Sequence, residues 1–159
     1  MQIARTTLAN LCTQFGKMLL RLPDGIDPAR LLWALAGNES SFGAESNPRH
    51  EQSYCYEHAY FNADRTRLWG CLAHCSYGPW QVMYSNFNIS ISPLELLGPT
   101  GVTLLAGGTT TLLQSIVDRQ KARTIEEIGE AYNTGKIQPD PEYVAKLVRN
   151  YAVPIGALA

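Results

Sequence analysis

No run of lysines or arginines in this chain is long enough to leave the electrostatic footprint of a dedicated nucleic-acid binder, and the formal net charge is only −1. Nor does any hydrophobic run approach the roughly 20 residues needed to cross a bilayer. The longest apolar stretches, such as Leu31 to Gly37, end well short of it, so no membrane span is expected. Met1 to Arg5 lack the basic start, apolar block and small-residue cleavage site of a secretory signal. A signal already removed, or delivery by another route, is the expectation. Internal repeats, low-complexity tracts and an alternating pattern strong enough for a large sheet are absent as well. What is present is an ordinary globular balance, 45% hydrophobic and 17% charged, which argues against disorder. A length of 159 residues supports one sizeable core rather than two domains, so residues 1–159 are expected to form a single soluble, monomeric unit.

Four cysteines, Cys12, Cys55, Cys71 and Cys75, are an even number, and three of them share one polar middle stretch. Disulfides there would imply an oxidising compartment. Free thiols are the alternative. His58 and His74 in the same stretch make a metal site a third, although the spacing does not match the paired patterns of common zinc sites, and no metal or cofactor is expected.

The helical period is clear on either side of that stretch. Leu8, Leu11, Cys12, Phe15, Leu19 and Leu22 predict a first helix that stops at Pro23-Asp24-Gly25. Asp27 before Pro28 predicts the start of a second, with Leu31, Leu32, Leu35 and Ala36 on its apolar face and Phe42-Gly43 at its end. Residues 44–77 lose all periodicity and are expected to form a long irregular insertion with at most short helical or hairpin pieces; such loops are usually functional or pinned by cross-links. Trp80 to Phe87 is short and aromatic, and Ser92-Pro93 opens a brief helix. Leu104, Leu105, Leu112, Leu113, Ile116 and Val117 predict a long central helix, weakened by Gly107-Gly108 and three threonines, that only tertiary packing could hold. Thr124-Ile125-Glu126-Glu127 matches a capping box, and Asn133-Thr134-Gly135 ends the helix it opens. Asp140-Pro141 begins a last helix with Tyr143, Val144, Leu147, Val148 and Tyr151 in one stripe. The fold class expected is mainly α.

Chemistry concentrates on Glu39, which shares a face with Leu32, Leu35 and Ala36 because helical positions three, four and seven apart stack on one side. A carboxyl aimed at a core has its charged form disfavoured and its pKa raised, which suits a group that must donate a proton near neutral pH. The plain alternative is a helix-end Glu that leans out to water.

Four blocks follow in order: Glu39-Ser40-Ser41-Phe42, then Gly78-Pro79-Trp80-Gln81-Val82-Met83, then Ala131-Tyr132-Asn133-Thr134-Gly135, then Tyr143-Val144-Ala145-Lys146-Leu147-Val148. Together they resemble the soluble lytic transglycosylases and their goose-type lysozyme relatives, whose pattern is Glu-Ser, Gly-Leu-Met-Gln, Ala-Tyr-Asn-Ala-Gly and Tyr-Val-x-x-Val. The resemblance implies a lysozyme-like domain with an insertion at 44–77, acting on peptidoglycan in the periplasm, outside the cell, or after delivery by a phage. It implies that Glu39 protonates the glycosidic oxygen between N-acetylmuramic acid and N-acetylglucosamine, and that Ser40 supports its helix. It further implies that Gln81 lines the sugar groove, that Met83 meets an N-acetyl group, that Tyr132 and Asn133 stand near the carboxyl and the reacting sugar, and that Tyr143 faces the same cleft. Taken alone, Tyr132 and Tyr143 could be core aromatics and Asn133-Thr134-Gly135 a helix cap, whereas Gln81 has no obvious packing role.

The chain departs from the family pattern at Pro79-Trp80, where a larger ring either stacks on sugar or is buried, and in the longer insertion, which brings Glu51, Glu57, Asp64, His58 and His74 near the cleft. A transglycosylase needs one carboxyl, which first gives its proton and then accepts one from the 6-hydroxyl of the muramyl sugar. An inverting hydrolase needs a second, about 6.5–9.5 Å away, with water between. Glu57 is the candidate second acid, with Asp64 behind it. Chitin is an alternative substrate. A non-catalytic glycan-binding module and a metal-stabilised structural protein built on the Cys and His of the insertion are rival readings.

Overall fold

A computed structural model describes residues 2–18, 21–52 and 63–157 of the chain. The architecture is mainly helical, with one small sheet. Helix α1 (Arg5–Gly16) leads into α2 (Pro28–Ser40), whose residues Leu31 to Gly37 are all buried. A helix apolar on every side must sit in the middle of a core, and α2 does, packed between α1 and α7 (Pro141–Ala152). The first helix ends at Gly16, earlier than the Leu8-to-Leu22 pattern predicts. Gly16 is buried where the start of α2 crosses it, and an added Cβ there would fall 2.7 Å from the Ala29 nitrogen. Leu22 still packs on the core, but from the connection rather than from the helix.

The insertion contains more regular structure than its composition suggests. Strand β1 (Arg49–His50) pairs antiparallel with β2 (Cys75–Tyr77), which pairs with β3 (Val82–Met83), in the order β1-β2-β3. The register sets Arg49 beside Ser76 and Ser76 beside Met83, so these three form one row across the sheet. Helix α3 (Ala63–Trp69) buries none of its residues, and a tight helical turn over Gly70–His74 joins it to β2. A helix without a buried face has no apolar period to betray it. No disulfide joins Cys12, Cys71 and Cys75, which corrects the expectation that cross-links pin this segment. Cys12 faces the core from α1, where burial pushes its thiol up to about 12, and Cys71 is exposed on the turn. Cys55 lies outside the described residues.

The β2–β3 turn is the hinge between sheet and core. Gly78 has φ +71° and is pressed on Leu105, while Trp80 is fully buried and donates its Nε1–H to the Leu32 carbonyl of α2 at 2.8 Å. The sugar-stacking alternative for Trp80 is therefore corrected: its ring belongs to the core. After α4 (Pro93–Leu96), the central helix α5 (Gly101–Ser115) forms despite Gly107-Gly108. Packing holds it as expected, with Gly108 against the Phe87 ring and the buried Thr109 and Thr110 hydroxyls donating back to Leu105 and Ala106 carbonyls, each at 2.8 Å. A π-helical turn, Ile116–Gln120, extends it. Helix α6 (Ile125–Thr134) opens on the capping box of Thr124 and Glu127 and stops at Gly135, and α7 starts on the Asp140 cap. Val148, placed by sequence in the apolar stripe of α7, is exposed. No helix among the described residues is long and apolar enough to cross a membrane.

Candidate active site

Helix α2 ends abruptly because Ser41, Phe42 and Gly43 all take left-handed backbone angles, φ +51°, +57° and +87°. Ser40 secures that end: its buried hydroxyl donates to the Ala36 carbonyl and accepts from the Gly43 amide, both at 2.9 Å. Its role is to hold the helix, and it does not line the cleft. One residue earlier, Glu39 emerges half-buried on the wall of a cleft of about 510 Å³ formed by α2, the sheet, the π-helical turn and α6. The helix packed on α2 supplies its partner, although Tyr143, expected to face the cleft, is not among its lining residues. Tyr143 on α7 donates its hydroxyl to Glu39 Oε1 at 2.6 Å.

Glu39 holds its proton more tightly than an ordinary glutamic acid. Burial, which penalises the charged form, is the main cause; the Tyr143 hydrogen bond and the charges of Arg49 and Lys146 pull the other way, and the charge of Glu51 adds to the rise. The Tyr143 hydroxyl is itself held well above its usual range by burial and by the neighbouring Glu39 charge. It therefore stays a donor. Tyr132 is raised well above its usual range for the same two reasons and donates to the Trp80 carbonyl at 2.7 Å, tying α6 to the β2–β3 turn.

Gln81, Met83, Tyr132 and Asn133 all line the cleft with Glu39. Gln81, which by sequence lacks a packing role, turns out to have one. It sits at φ +46° and donates to the Gly78 carbonyl at 2.8 Å and the Asn47 carbonyl at 3.2 Å, while its Oε1 lies 2.8 Å from the Ser76 hydroxyl. Its polar atoms hold the wall's shape, and strained backbone of this kind persists only where surrounding contacts impose it. Met83 is half-buried, and Asn133 is exposed and donates to Asp140 at 2.7 Å across the α6–α7 connection.

Two charged residues complete the lining: Glu51, which the sequence reading brings near the cleft without a role, and Arg49, which it does not single out. Arg49 and Glu51 lie two positions apart along the β1 edge, on one face, and are joined by an ion pair of 2.7 Å from Arg49 Nε to Glu51 Oε1. The Ser76 hydroxyl also reaches Glu51 Oε1, at 2.9 Å. The single Ser76 hydroxyl proton is thus shared between two acceptors, Glu51 Oε1 and Gln81 Oε1, and links the ion pair to the β2–β3 turn. The signal available in the sequence was the Arg49-His50-Glu51 alternation, too short to stand out.

The remaining candidates are elsewhere. Asp64 is exposed on α3 and pairs with Arg67 at 3.2 Å, away from the cleft lining. His74 is buried, with Nε2 3.1 Å from the Thr66 hydroxyl. Glu57 and His58 lie outside the described residues. Among the described residues no three His, Cys, Asp or Glu side chains converge as metal ligands would. In comparisons with known proteins, no family model, curated protein or solved structure matches the chain.

Proposed function

We propose that this chain is a lysozyme-like enzyme that cuts the β-1,4 bond between N-acetylmuramic acid and N-acetylglucosamine of peptidoglycan by lytic transglycosylation, with Glu39 as acid and then base. The observation that carries the reading is a half-buried carboxyl with a tightened hold on its proton, on the wall of a cleft and bonded by the Tyr143 hydroxyl at 2.6 Å. A half-buried, hydrogen-bonded acid beside an open groove is what protonation of a glycosidic oxygen requires.

In the first half of the reaction the Glu39 proton passes to the glycosidic oxygen as the bond to C1 of the muramyl sugar breaks. The 6-hydroxyl of that sugar then attacks C1, its proton returns to Glu39, and a 1,6-anhydro ring closes without water. Tyr143, still protonated, steadies the transient Glu39 carboxylate. Gln81 and Tyr132 keep the groove wall in register, and Met83 and Asn133 present an apolar and a polar surface to the sugars. Work on cell wall implies that the protein acts outside the cytoplasm, in the periplasm, beyond the cell, or delivered by a phage.

Inverting hydrolysis is the second reading, and Glu51 in the same cleft is what favours it. Against it, Glu51 Oε1 already accepts from Arg49 and lies within reach of Ser76, which leaves it poorly placed to activate water. Digestion of purified cell wall and of chitin oligomers, with products weighed by mass spectrometry, tests the proposal. Anhydro-muramyl ends are expected. Reducing ends would transfer the reaction to hydrolysis, cleavage of chitin alone would change the substrate, and binding without turnover would make the protein a glycan-binding module.

A further inference from the structure

Once Glu39 has given up its proton it is an anion in a half-buried place, and the groups around it decide how long it can stay one. Three elements present charged or titratable groups to it. From α7 come Tyr143, which donates to its Oε1, and Lys146, whose ammonium is committed to the Asn38 carbonyl at 2.6 Å. From α6 comes Tyr132. From the β1 edge come Arg49 and Glu51, and among the described residues Arg49 is the cation on the cleft side. Residues 53–62 contain no Lys or Arg to add to it.

We propose that Arg49, anchored on the sheet by Glu51 and Ser76, is a positioning residue that holds Glu39 as a carboxylate during the half of the reaction in which it acts as base. The geometry gives the anchor its logic. An arginine more than half exposed would ordinarily spread over many rotamers, but the 2.7 Å bond from Nε to Glu51 Oε1 fixes its stem, while Ser76, its neighbour across the strand pair, supports the same carboxylate. The guanidinium and the Glu39 carboxyl then line one cleft, and each acts on the other's charge. Glu51 does two things at once. It orients the cation and supplies a negative charge that partly offsets it, so Glu39 stays protonated enough to serve first as an acid. The pair therefore poises Glu39 between its two tasks instead of committing it to one.

The base role rests on the cleavage reading, but the action of the pair on Glu39 does not, and a substrate-free measurement separates the two. In protein labelled with 13C at glutamate carboxyls, the Glu39 resonance is assigned by its loss in Glu39→Gln and followed through a pH titration. Arg49→Gln should raise the Glu39 midpoint by several tenths of a pH unit, as expected for a partly screened charge, and Arg49→Lys should restore most of it. Glu51→Gln, which keeps an oxygen for Arg49 Nε and the Ser76 hydroxyl, should lower it. Both shifts should shrink in molar salt, and the alkaline limb of the strand-cleavage pH profile should move in the same directions. A Glu39 midpoint that Arg49→Gln leaves in place, or lowers, overturns the proposal even if glycan is cleaved. Opposed midpoint shifts in a protein that cleaves nothing would uphold the electrostatic pairing and sink the cleavage reading alone.

Discussion

Truncating Trp80 to alanine discriminates between the two places an indole in this turn can occupy. In the fold Trp80 is 0% exposed and its Nε1–H donates to the Leu32 carbonyl at 2.8 Å. Removing it takes away the transfer free energy of a large ring and leaves a cavity between the hairpin and α2, a loss of about 3–5 kcal/mol for a buried Trp. In a chain of this size each kcal/mol lowers Tm by about 2–4 °C, so the melting point should fall by about 6–20 °C. Thermal unfolding followed by circular dichroism at 222 nm reads this directly, and urea titration at one temperature gives the free energy independently. Trp80→Phe, which keeps most of the apolar area and loses the hydrogen bond, should cost markedly less. A fall of under about 1 kcal/mol for the alanine variant, with wild-type folding retained, would show that the ring does not fill the core and would return it to the sugar face.

Replacing Glu39 with Gln should lower the rate of glycan cleavage by roughly 10²–10⁴-fold or more, measured as product release from purified cell wall, with the far-ultraviolet spectrum unchanged. The same variant carries a stability signature. Because the fold raises the Glu39 pKa, the stability Glu39 contributes is fully present below the ordinary carboxyl range and is lost as pH rises through its elevated folded-state value. Glu39→Gln, which never ionises, should therefore gain in Tm relative to wild type as pH crosses that window, and a constant difference at all pH values would contradict the burial of the carboxyl. Tyr143→Phe removes the hydroxyl that favours the Glu39 carboxylate, so the alkaline limb of the cleavage profile should move to higher pH; a shift to lower pH would refute the assigned donor. Gly78→Ala puts a side chain at φ +71° and drives its Cβ into Leu105, and should cost about 1–3 kcal/mol in urea unfolding, whereas a neutral result would mean that the turn relaxes freely.

Much of the helical frame could be read from local chemistry. Asp27-Pro28, the Thr124 to Glu127 capping box and Asp140-Pro141 each state where a helix starts, because an unsatisfied amide and a side-chain oxygen lie within a few residues of one another. The acid's position on α2 was legible for the same reason, since helical period is a property of near neighbours. What could not be read depends on contacts made far along the chain. Glu51 was expected near the cleft, but Arg49 and its pairing with Glu51 were not, because they depend on a two-residue strand that pairs with Ser76 and Cys75, a register no local pattern encodes. Gln81 looked unoccupied because its partners, Asn47 and Ser76, are brought to it by folding. Helix α3 has no buried face and so wrote no period into the sequence.

The bond between Tyr143 and Glu39 joins residues 104 positions apart, and α7 also grips α2 through Lys146 and Asn150 on Asn38 and through the carbonyl of Tyr151, which accepts from Arg30. Translation proceeds from the amino end, so a growing polypeptide carries the Glu39 carboxyl long before the helix that donates to it has been made. On a nascent chain that carboxyl is therefore without its hydroxyl partner, and the bond closes only once α7 has been made and has docked on α2.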